Sequence, residues 1–196
     1  MGHIISPIPL IGAYNAEPIQ AFLEGIGLRE LFGKNMLIHH ILEFLCHKAP
    51  EICELGLALS TGHKPGTVKQ KTLSIAFGHL LSGGSTKTLV HLAQLIVTGK
   101  FQRFDEGRKE NLKRYGSVNP PEYNVSQISS PVLLASGKND WVSALKDVDV
   151  LASKLPNLVE NYVVPQDYWS HHNHVWDATI PSAFYAKLLD YLERYT

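Results

Sequence analysis

The chain has 196 residues, of which 44% are hydrophobic and 18% charged, and 18 basic residues balance 18 acidic ones. These values are ordinary for a globular protein with a core of its own. The balance leaves no basic excess of the kind that nucleic-acid-binding surfaces show, and no apolar run reaches the ~18 residues of a membrane-spanning helix. We therefore expect no nucleic-acid partner and no transmembrane segment. The first residues also lack the basic start and the cleavage site of a secretory signal.

The first hundred residues are predicted to form helices joined by loops rich in Gly and Pro. Residues 19–32 and 34–45 have helical periodicity, although two glycines interrupt the first stretch. A third helix is expected in residues 84–99, with Ser85 as its candidate N-cap and Gly99 as its candidate stop. Four apolar residues form one stripe along it: Leu89, Leu92, Ala93 and Ile96.

From about residue 115 the pattern changes to alternating strands and helices. "PVLLASG" (131–137) and "LVENYVV" (158–164) are short apolar runs typical of buried strands. A helical pattern follows each run, and in the second of these helices Phe184, Leu188 and Leu192 are expected to face inward. The βαβα order predicts a parallel sheet with a right-handed crossover. Because two strands cannot bury both faces of such a sheet, this tail is expected to need further strands, which the helical first half does not contain.

A polar cluster follows each predicted strand, where functional side chains gather in parallel sheets. Asp140 lies in "KNDW" after the first strand, and "SHHNHVW" (170–176) follows the second with three of the chain's ten histidines. An acid after one strand and a histidine after the next is the order of the last two members of the Ser-Asp-His hydrolase triad. In that chemistry the carboxylate orients the imidazole, which takes a proton from the serine.

Three interpretations of the histidine cluster are considered: a metal site, a solvated loop, and one catalytic histidine with two bystanders. A metal site is disfavoured because the adjacent His171 and His172 point apart and no cysteine or acidic run lies nearby. The large rings of Trp169 and Trp176 favour a packed loop over a solvated one. The pattern alone leaves the solvated and the catalytic interpretations open.

Two features of the sequence indicate possible covalent modification, a disulfide and an N-linked glycan. Cys46 and Cys53 in "CHKAPEIC" are either two half-buried thiols or the ends of one short disulfide loop, which would indicate an oxidising compartment. "NVS", from Asn124 to Ser126, is an N-glycosylation sequon in a Pro-rich loop. The residues alone do not decide whether the two cysteines are joined or whether Asn124 carries a glycan.

Residues 101–158, "FQRFDEGRKENLKRYGSVNPPEYNVSQISSPVLLASGKNDWVSALKDVDVLASKLPNL", carry a long series of fixed spacings. The series reads approximately F-x-x-[YF]-D-x-G, N, Y-G, P-P-x-Y, I-x-x-P-V, G-x-x-D, D-V, L-P-N-L. Its members here are Phe101, Phe104, Asp105, Gly107, Asn111, Tyr115, Gly116, Pro120, Pro121, Tyr123, Ile128, Pro131, Val132, Gly137, Asp140, Asp147, Val148, Leu155, Pro156, Asn157 and Leu158.

This series closely resembles the C-terminal region of the acid lipase family, which comprises lysosomal and gastric lipases and their insect relatives. "GHLLSGGSTKTLVHLAQLIVTGKF" and "HIISPI" resemble the family at lower density, so the resemblance covers essentially the whole chain. It implies an α/β fold, namely the C-terminal βαβα part of an α/β-hydrolase preceded by a helical cap, or lid. Residues 1–105 would form the cap, residues 106–130 a connector, and residues 131–196 the part of the core.

The resemblance also implies roles for single residues. Asp140 matches the triad acid and His171 the triad histidine, which would make the other two histidines bystanders. Cys46 and Cys53 match a disulfide of the family's cap, and Asn124 matches a sequon position.

The chain departs from the family at two points. The motif around the histidine is N-H-x-D-F-x-W, but this chain has Ser170, Asn173 and His174 in place of the Asn, Asp and Phe. We expect the loss of the carboxylate and the ring to change the loop and the pKa of the catalytic imidazole. The family nucleophile lies in G-H-S-Q-G, and no G-x-S-x-G occurs in the 196 residues. Ser85 in "GGSTK" lacks the spacing of such an elbow.

The implied function is hydrolysis of triacylglycerols or sterol esters by a Ser-His-Asp lipase that uses no cofactor or metal. This chain resembles the C-terminal half of such an enzyme: it would supply the acid, the histidine and the lid, and it would be inactive alone. Its partners would be neutral lipid esters and, through the cap, a lipid–water interface, in a secreted or lysosomal setting. The alternative is a non-catalytic lipid-binding or regulatory fragment of a lipase.

Overall fold

The computed structural model describes residues 2–25, 30–31, 36–80 and 83–195. The first half of this part is mainly helical, and the second half is built on a small parallel sheet. The helices of the first half are α1 (Pro7–Tyr14), α2 (Ala16–Gly25), α3 (Met36–Lys48), α4 (Pro50–Thr61), α5 (Gln70–Leu80) and α6 (Thr86–Thr98). Two short strands, β1 (Glu30–Leu31) and β2 (Gly84–Ser85), pair in antiparallel fashion.

The helix predicted over residues 19–32 is wrong in its second part. The observed α2 ends at Gly25, and Glu30 and Leu31 form β1. Residues 26–29 and 32 of the predicted stretch lie outside the described part. The stretch carries two glycines, each of which costs about 1 kcal/mol relative to alanine inside a helix. The next predicted helix, residues 34–45, is observed as α3 and extends to Lys48, while residues 34 and 35 lie outside the described part.

Helix α6 confirms the predicted stop, and the four residues of the predicted apolar stripe all line one cavity. Gly99 ends the helix in the left-handed conformation with φ 67°, and Ser85 occupies the N-cap position without a capping hydrogen bond from its side chain. Leu89 and Leu92 are about half exposed, and Ala93 is the buried member of the stripe. The exposure arises because this side of α6 borders an open, mostly apolar cavity of about 810 Å³ between α1, α6 and the later helix α8 (Leu145–Ala152).

Helices α3 and α4 form a hairpin whose two arms are joined by the Cys46–Cys53 disulfide, with a Cα–Cα distance of 5.6 Å. The pairing implied by the family resemblance is therefore confirmed. Both half-cystines are buried, together with Leu57, Val68 and Leu73, in one apolar cluster. We call this cluster the disulfide core.

The second half confirms the predicted parallel strands. β3 (Val132–Ser136) and β4 (Leu158–Val163) pair in parallel, with Leu133 opposite Glu160 and Ser136 opposite Val163. The helices of this half are α7 (Arg108–Tyr115), α8 (Leu145–Ala152), the short α9 (Asn173–Trp176) and α10 (Ala186–Tyr195). A 3-10 turn (Val125–Gln127) precedes β3, and a π-helical turn (Pro181–Tyr185) precedes α10.

The inward orientation expected for Leu192 is wrong. Phe184 packs on a buried cluster that contains Val164 and Trp169, as expected, but the side chain of Leu192 in α10 is 51% exposed. A sheet of two strands offers too little surface to cover the length of α10. Within the described residues, no helix is long and apolar enough to cross a bilayer.

Candidate active site

The loops that follow β3 and β4 are tied together directly behind the site. The backbone N–H of Asn139 donates a hydrogen bond to the carbonyl oxygen of Trp169, with an N–O distance of 2.9 Å. Gly137 lies against the same peptide, because a Cβ atom on this glycine would stand 2.3 Å from the Trp169 carbonyl oxygen. This close approach places Asp140 and His171 on adjacent loops at the carboxyl end of the sheet.

Asp140 is fixed within its own loop. Its Oδ1 accepts hydrogen bonds from the backbone N–H groups of Val142 and Ser143, at 2.9 and 2.8 Å. Its side chain is 3% exposed, and Oδ2 faces the histidine. Burial acts to raise the pKa of this carboxyl, but the hydrogen bonds from His171, Ser143 and Val142 outweigh it and lower the pKa. The group is therefore an ionised acceptor at neutral pH.

His171 lies against this carboxylate. Its Nδ1 is 3.0 Å from Asp140 Oδ2, which is the contact expected from the two strand ends. Because an ionised carboxylate only accepts, Nδ1 carries the proton and the neutral ring keeps Nε2 free to act as a base. The hydrogen bond to Asp140 raises the pKa of His171 against the opposing effect of burial. The His171 side chain is 43% exposed, so the ring can be reached from outside.

The neighbouring His172 has a different environment. Its ring stacks on the indole of Trp176, with centroids 4.4 Å apart and planes 9° apart, and meets the His171 ring edge-on at 5.5 Å. Burial, followed by the charges of His171 and His63, lowers the pKa of His172 to about 4. His172 is therefore neutral over most of the pH range in which His171 titrates.

Two of the three departures from the family motif, Asn173 and His174, are accommodated by packing. Asn173 is fully buried, and its amide makes hydrogen bonds to Ser170 and Asp177. His174 stands edge-on to Trp169 and Phe184, with ring centroids 5.8 and 5.6 Å away, which is how an aromatic residue packs. In this chain the amide at position 173 thus belongs to a buried hydrogen-bond network, and the imidazole at position 174 makes aromatic contacts. A change of the loop relative to the family stays a prediction.

The helical first half reaches both loops through the segment after α4. Gly62 lies in the left-handed region with φ 77°, and its carbonyl oxygen accepts a hydrogen bond of 2.5 Å from Asn139 Nδ2. The carbonyl oxygen of Thr61 accepts from the backbone N–H of Trp141 at 3.3 Å. On the other loop, Asn173 Nδ2 lies 3.3 Å from Thr67 Oγ1, and Trp176 packs against the disulfide core. These contacts join the predicted cap region to both Asp140 and His171.

Other sequence-derived sites lie elsewhere. Asn124 is exposed, and its Oδ1 accepts from the backbone N–H and the hydroxyl of Ser126, so the sequon is accessible. Ser85 belongs to the short antiparallel β1–β2 pair. Among the described residues, no group of three or more His, Cys, Asp or Glu side chains is arranged to hold a metal ion.

The small parallel sheet, with an acid–histidine pair at the carboxyl ends of its strands, is consistent with part of an α/β-hydrolase. Comparison with known proteins agrees. Lipase 3 of Drosophila melanogaster is 28% identical over 203 residues, covering 100% of this chain and 50% of that protein. Lysosomal acid lipase/cholesteryl ester hydrolase of Homo sapiens is 28% identical over 187 residues, covering 95% of this chain and 43% of that protein. Gastric triacylglycerol lipase of Bos taurus is 29% identical over 163 residues, covering 83% of this chain and 39% of that protein.

The family resemblance inferred from the motifs is thus confirmed: the chain is similar along its length to lysosomal and gastric lipases and other lipases. It spans between about two fifths and one half of the length of these relatives. No family model matches the chain.

Several residues that contact the two loops of this site were not predicted from the sequence. Gly62 and Thr67 carry no motif, and their partners lie 77 and 106 positions away along the chain. Asp177 lies only four positions from its partner Asn173, but it carries no motif either. The nearest local signal is Asn173 itself, an amide in the place where the family motif has a carboxylate.

Proposed function

We propose that the chain supplies the acid, the histidine and the lid of a carboxylic ester hydrolase that acts on neutral lipid esters, such as triacylglycerols or sterol esters. The observation that carries the proposal is the 3.0 Å contact between Asp140 Oδ2 and His171 Nδ1, at the ends of adjacent parallel strands. Its occurrence in a chain similar to lipases makes acyl transfer the reaction that fits best.

In the proposed reaction, Nε2 of His171 takes the proton of a serine hydroxyl as the serine oxygen attacks the ester carbonyl. The same nitrogen then returns a proton to the leaving alcohol, and a water molecule is activated in the same way to release the fatty acid. Asp140 holds the ring in the required tautomer and stabilises the imidazolium. No G-x-S-x-G occurs in the 196 residues, so the serine and the oxyanion donors would come from another segment.

The lid role rests on the exposed apolar side chains of the helical half. Ile41 and Phe44 on α3, and Ile52 and Leu55 on α4, are all more than half exposed. Apolar groups spread over neighbouring helices fit contact with a lipid–water interface. We accordingly propose residues 1–105 as the cap, residues 106–130 as the connector, and a secreted or lysosomal setting of the kind that the names of several relatives indicate.

The experiment compares the chain alone with the chain joined to an N-terminal lipase segment that carries G-H-S-Q-G. We expect no turnover of a short-chain nitrophenyl ester by the chain alone, and turnover by the joined protein. His171→Ala and Asp140→Ala should each lower kcat of the joined protein by about four to six orders of magnitude. A folded joined protein without activity, or with activity that survives His171→Ala, rejects the proposal.

Turnover by the chain alone that disappears in His171→Ala would instead reveal a nucleophile within the 196 residues. Ser85→Ala would then be the first variant to assay. A serine-directed phosphonate probe gives the same answer by mass, because it labels only a chain with an activated serine.

The second candidate is a non-catalytic lipid-binding or regulatory fragment, which the apolar cavity of about 810 Å³ favours. Its size is in the range of cavities that hold small apolar ligands. This candidate predicts saturable binding of a fluorescent fatty acid by the chain alone, and loss of that binding in Ala93→Trp, which fills the cavity from α6. Binding of this kind, together with an inactive joined protein, would favour it over the hydrolase.

A further inference from the structure

The side chain of Asn173 makes several hydrogen bonds within and beyond the histidine loop, residues 170–176. It is fully buried, and its Oδ1 accepts from the backbone N–H of Ser170 at 2.9 Å and from the Ser170 hydroxyl at 2.6 Å. Its Nδ2 donates to Asp177 Oδ2 at 2.8 Å and lies 3.3 Å from Thr67 Oγ1. All four hydrogen-bonding positions of the amide thus have a partner.

These contacts act on His171 through the residue before it. The backbone N–H of Asn173 donates to the Ser170 carbonyl oxygen at 3.1 Å, while Ser170 donates back to the Asn173 side chain. The result is a closed ring of hydrogen bonds around the peptide that enters His171. A loop held in this way keeps the imidazole at a fixed distance from Asp140, which catalysis by positioning requires.

The choice of an amide is explained by Asp177. This carboxylate is 4% exposed, and its Oδ1 accepts from the N–H and the hydroxyl of Thr179, while Oδ2 accepts from Asn173. A carboxylate at position 173 would place two like charges at hydrogen-bond distance in a buried site, which strongly disfavours ionisation of both. The family motif has its carboxylate at position 173, whereas this loop has a carboxylate at position 177 and an amide at 173.

We infer that Asn173 is a positioning residue for His171, and that it acts as an amide because Asp177 supplies the carboxylate that this loop needs. The inference rests on the proposed function, since positioning has a purpose only if His171 takes part in a reaction. It also assigns Thr67 a role, because this residue extends the same network into the segment between α4 and α5.

The test follows the His171–Asp140 contact by an NMR titration of His171 in the chain as it is, alongside the melting temperature. In Asn173→Ala we expect the pKa of His171 to return toward its ordinary value, because the loop no longer holds the ring on Asp140. The exchanged pair Asn173→Asp with Asp177→Asn should restore the raised pKa, since the new amide at position 177 can donate to the new carboxylate at position 173 and accept from Thr179. Only the contact to Thr67 is not restored, because its hydroxyl already donates to the Lys64 carbonyl oxygen.

Asn111 provides a matched control. It is also fully buried, and its side chain makes hydrogen bonds of 2.8, 2.9 and 3.0 Å to Asp105, Val118 and Glu106. Asn111→Ala should lower the melting temperature, on the order of 5 °C, without moving the pKa of His171. If Asn173→Ala behaves as Asn111→Ala does, its role is only structural and the inference is wrong.

Two further outcomes are decisive. Failure of the exchanged pair to restore the raised pKa would overturn the assignment of Asp177. If Asn173→Ala does not fold, Ser170→Ala removes one of the two hydrogen bonds that Ser170 donates to Asn173 Oδ1, the one from its hydroxyl. It should shift the pKa of His171 in the same direction by a smaller amount, and no shift would overturn the inference. The titration reports the position of His171 and not turnover, so its failure is distinct from a failure of the proposed hydrolysis.

Discussion

The indole of Trp176 lies parallel to the imidazole of His172 at 4.4 Å, and the same indole packs against the disulfide core. One aromatic side chain therefore connects the α3–α4 hairpin to the residue that follows His171. His172 is kept neutral in this stack, because burial lowers its pKa to about 4. A second positive charge beside the His171 imidazolium is thereby avoided.

The stack predicts a pH dependence of stability. Because the pKa of His172 is about 4 in the folded chain and ordinarily 6.5, the unfolded chain binds more protons between these values, and stability falls as the pH is lowered through this window. His172→Phe keeps the ring contact and removes the proton site. We expect its urea midpoint to fall less than that of the wild type between pH 6.5 and pH 4. His79→Phe, at an exposed site on α5, is the control and should retain the wild-type loss.

His171 contributes in the opposite direction. Its raised pKa means that it stabilises the folded chain below its ordinary pKa of 6.5, and that this contribution is lost as the pH rises through the folded value. The comparison of wild type with His172→Phe isolates His172, because both proteins keep His171. An identical fall of the urea midpoint in the two proteins would show that His172 is not held neutral by burial.

Asp140→Asn is expected to lower the pKa of His171. The Val142 and Ser143 N–H groups will hold the amide oxygen where Oδ1 now lies, so Nδ2 must face His171 Nδ1. Two donors then oppose each other unless the ring moves its proton to Nε2, which is the wrong tautomer for a base. An NMR titration measures the change. Asp167→Asn, at an exposed carboxylate that pairs with Lys138, should leave the His171 pKa unchanged.

Loss of the disulfide should weaken the α3–α4 hairpin. The bond closes a short loop, with a sequence separation of 7, for which chain entropy gives about 2 to 3 kcal/mol. Replacing both cysteines by alanine should therefore lower the melting temperature by about 5 to 10 °C. Calorimetry checks the value, and mass spectrometry of unreduced material from a secretory host should show no free thiol. Two free thiols in such material would contradict this prediction.

Gly137→Ala is expected to destabilise the fold by about 1 to 3 kcal/mol, because its Cβ would overlap the Trp169 carbonyl oxygen and separate the two loops. Urea unfolding measures the loss. Gly56→Ala is the matched control, since this glycine lies within α4 and, apart from the helix's own backbone, no atom stands within 4 Å of a new Cβ. The control should gain about 0.5 to 1 kcal/mol from helix propensity. Equal behaviour of the two variants would show that the close approach is unimportant.

Glycosylation is expected at Asn124 when the chain is made in a secretory pathway. The residue is exposed, and the sequon is complete through Ser126. Intact mass should show a glycan that is absent from both Asn124→Gln and Ser126→Ala. A wild-type chain without a glycan at this residue, produced in a host that glycosylates other sequons, would contradict the prediction.

The contact between Asp140 and His171 could be predicted because a simple rule governs it. Parallel strands end at the same edge of a sheet, so residues just after two neighbouring strands approach each other whatever the rest of the chain does. Spacing alone leaves two free thiols and a Cys46–Cys53 disulfide equally open, and the family resemblance is needed to decide between them. The strands themselves followed from two short apolar runs.

The remaining features could not be predicted, because they depend on packing between distant segments. The amide network of Asn173 needs Thr67, 106 positions away, and no local pattern indicates this partner. Leu192 fits a helical stripe, yet it is exposed because the two-stranded sheet is too narrow to cover α10. Glu30 and Leu31 continue a helical pattern that the preceding glycines interrupt.

The hydrogen bond between Gly62 and Asn139 joins residues 77 positions apart, and that between Thr67 and Asn173 joins residues 106 apart. During synthesis the α3–α4 hairpin and the segment that follows it, with Gly62 and Thr67, therefore leave the ribosome long before Asn139 and Asn173 exist, and contacts of such separation form slowly. The Cys46–Cys53 bond spans only 7 positions, so it can close as soon as the hairpin is exposed to an oxidising environment. We expect the hairpin to form first. The loops that carry Asp140 and His171 then fold onto it when the last third of the chain emerges.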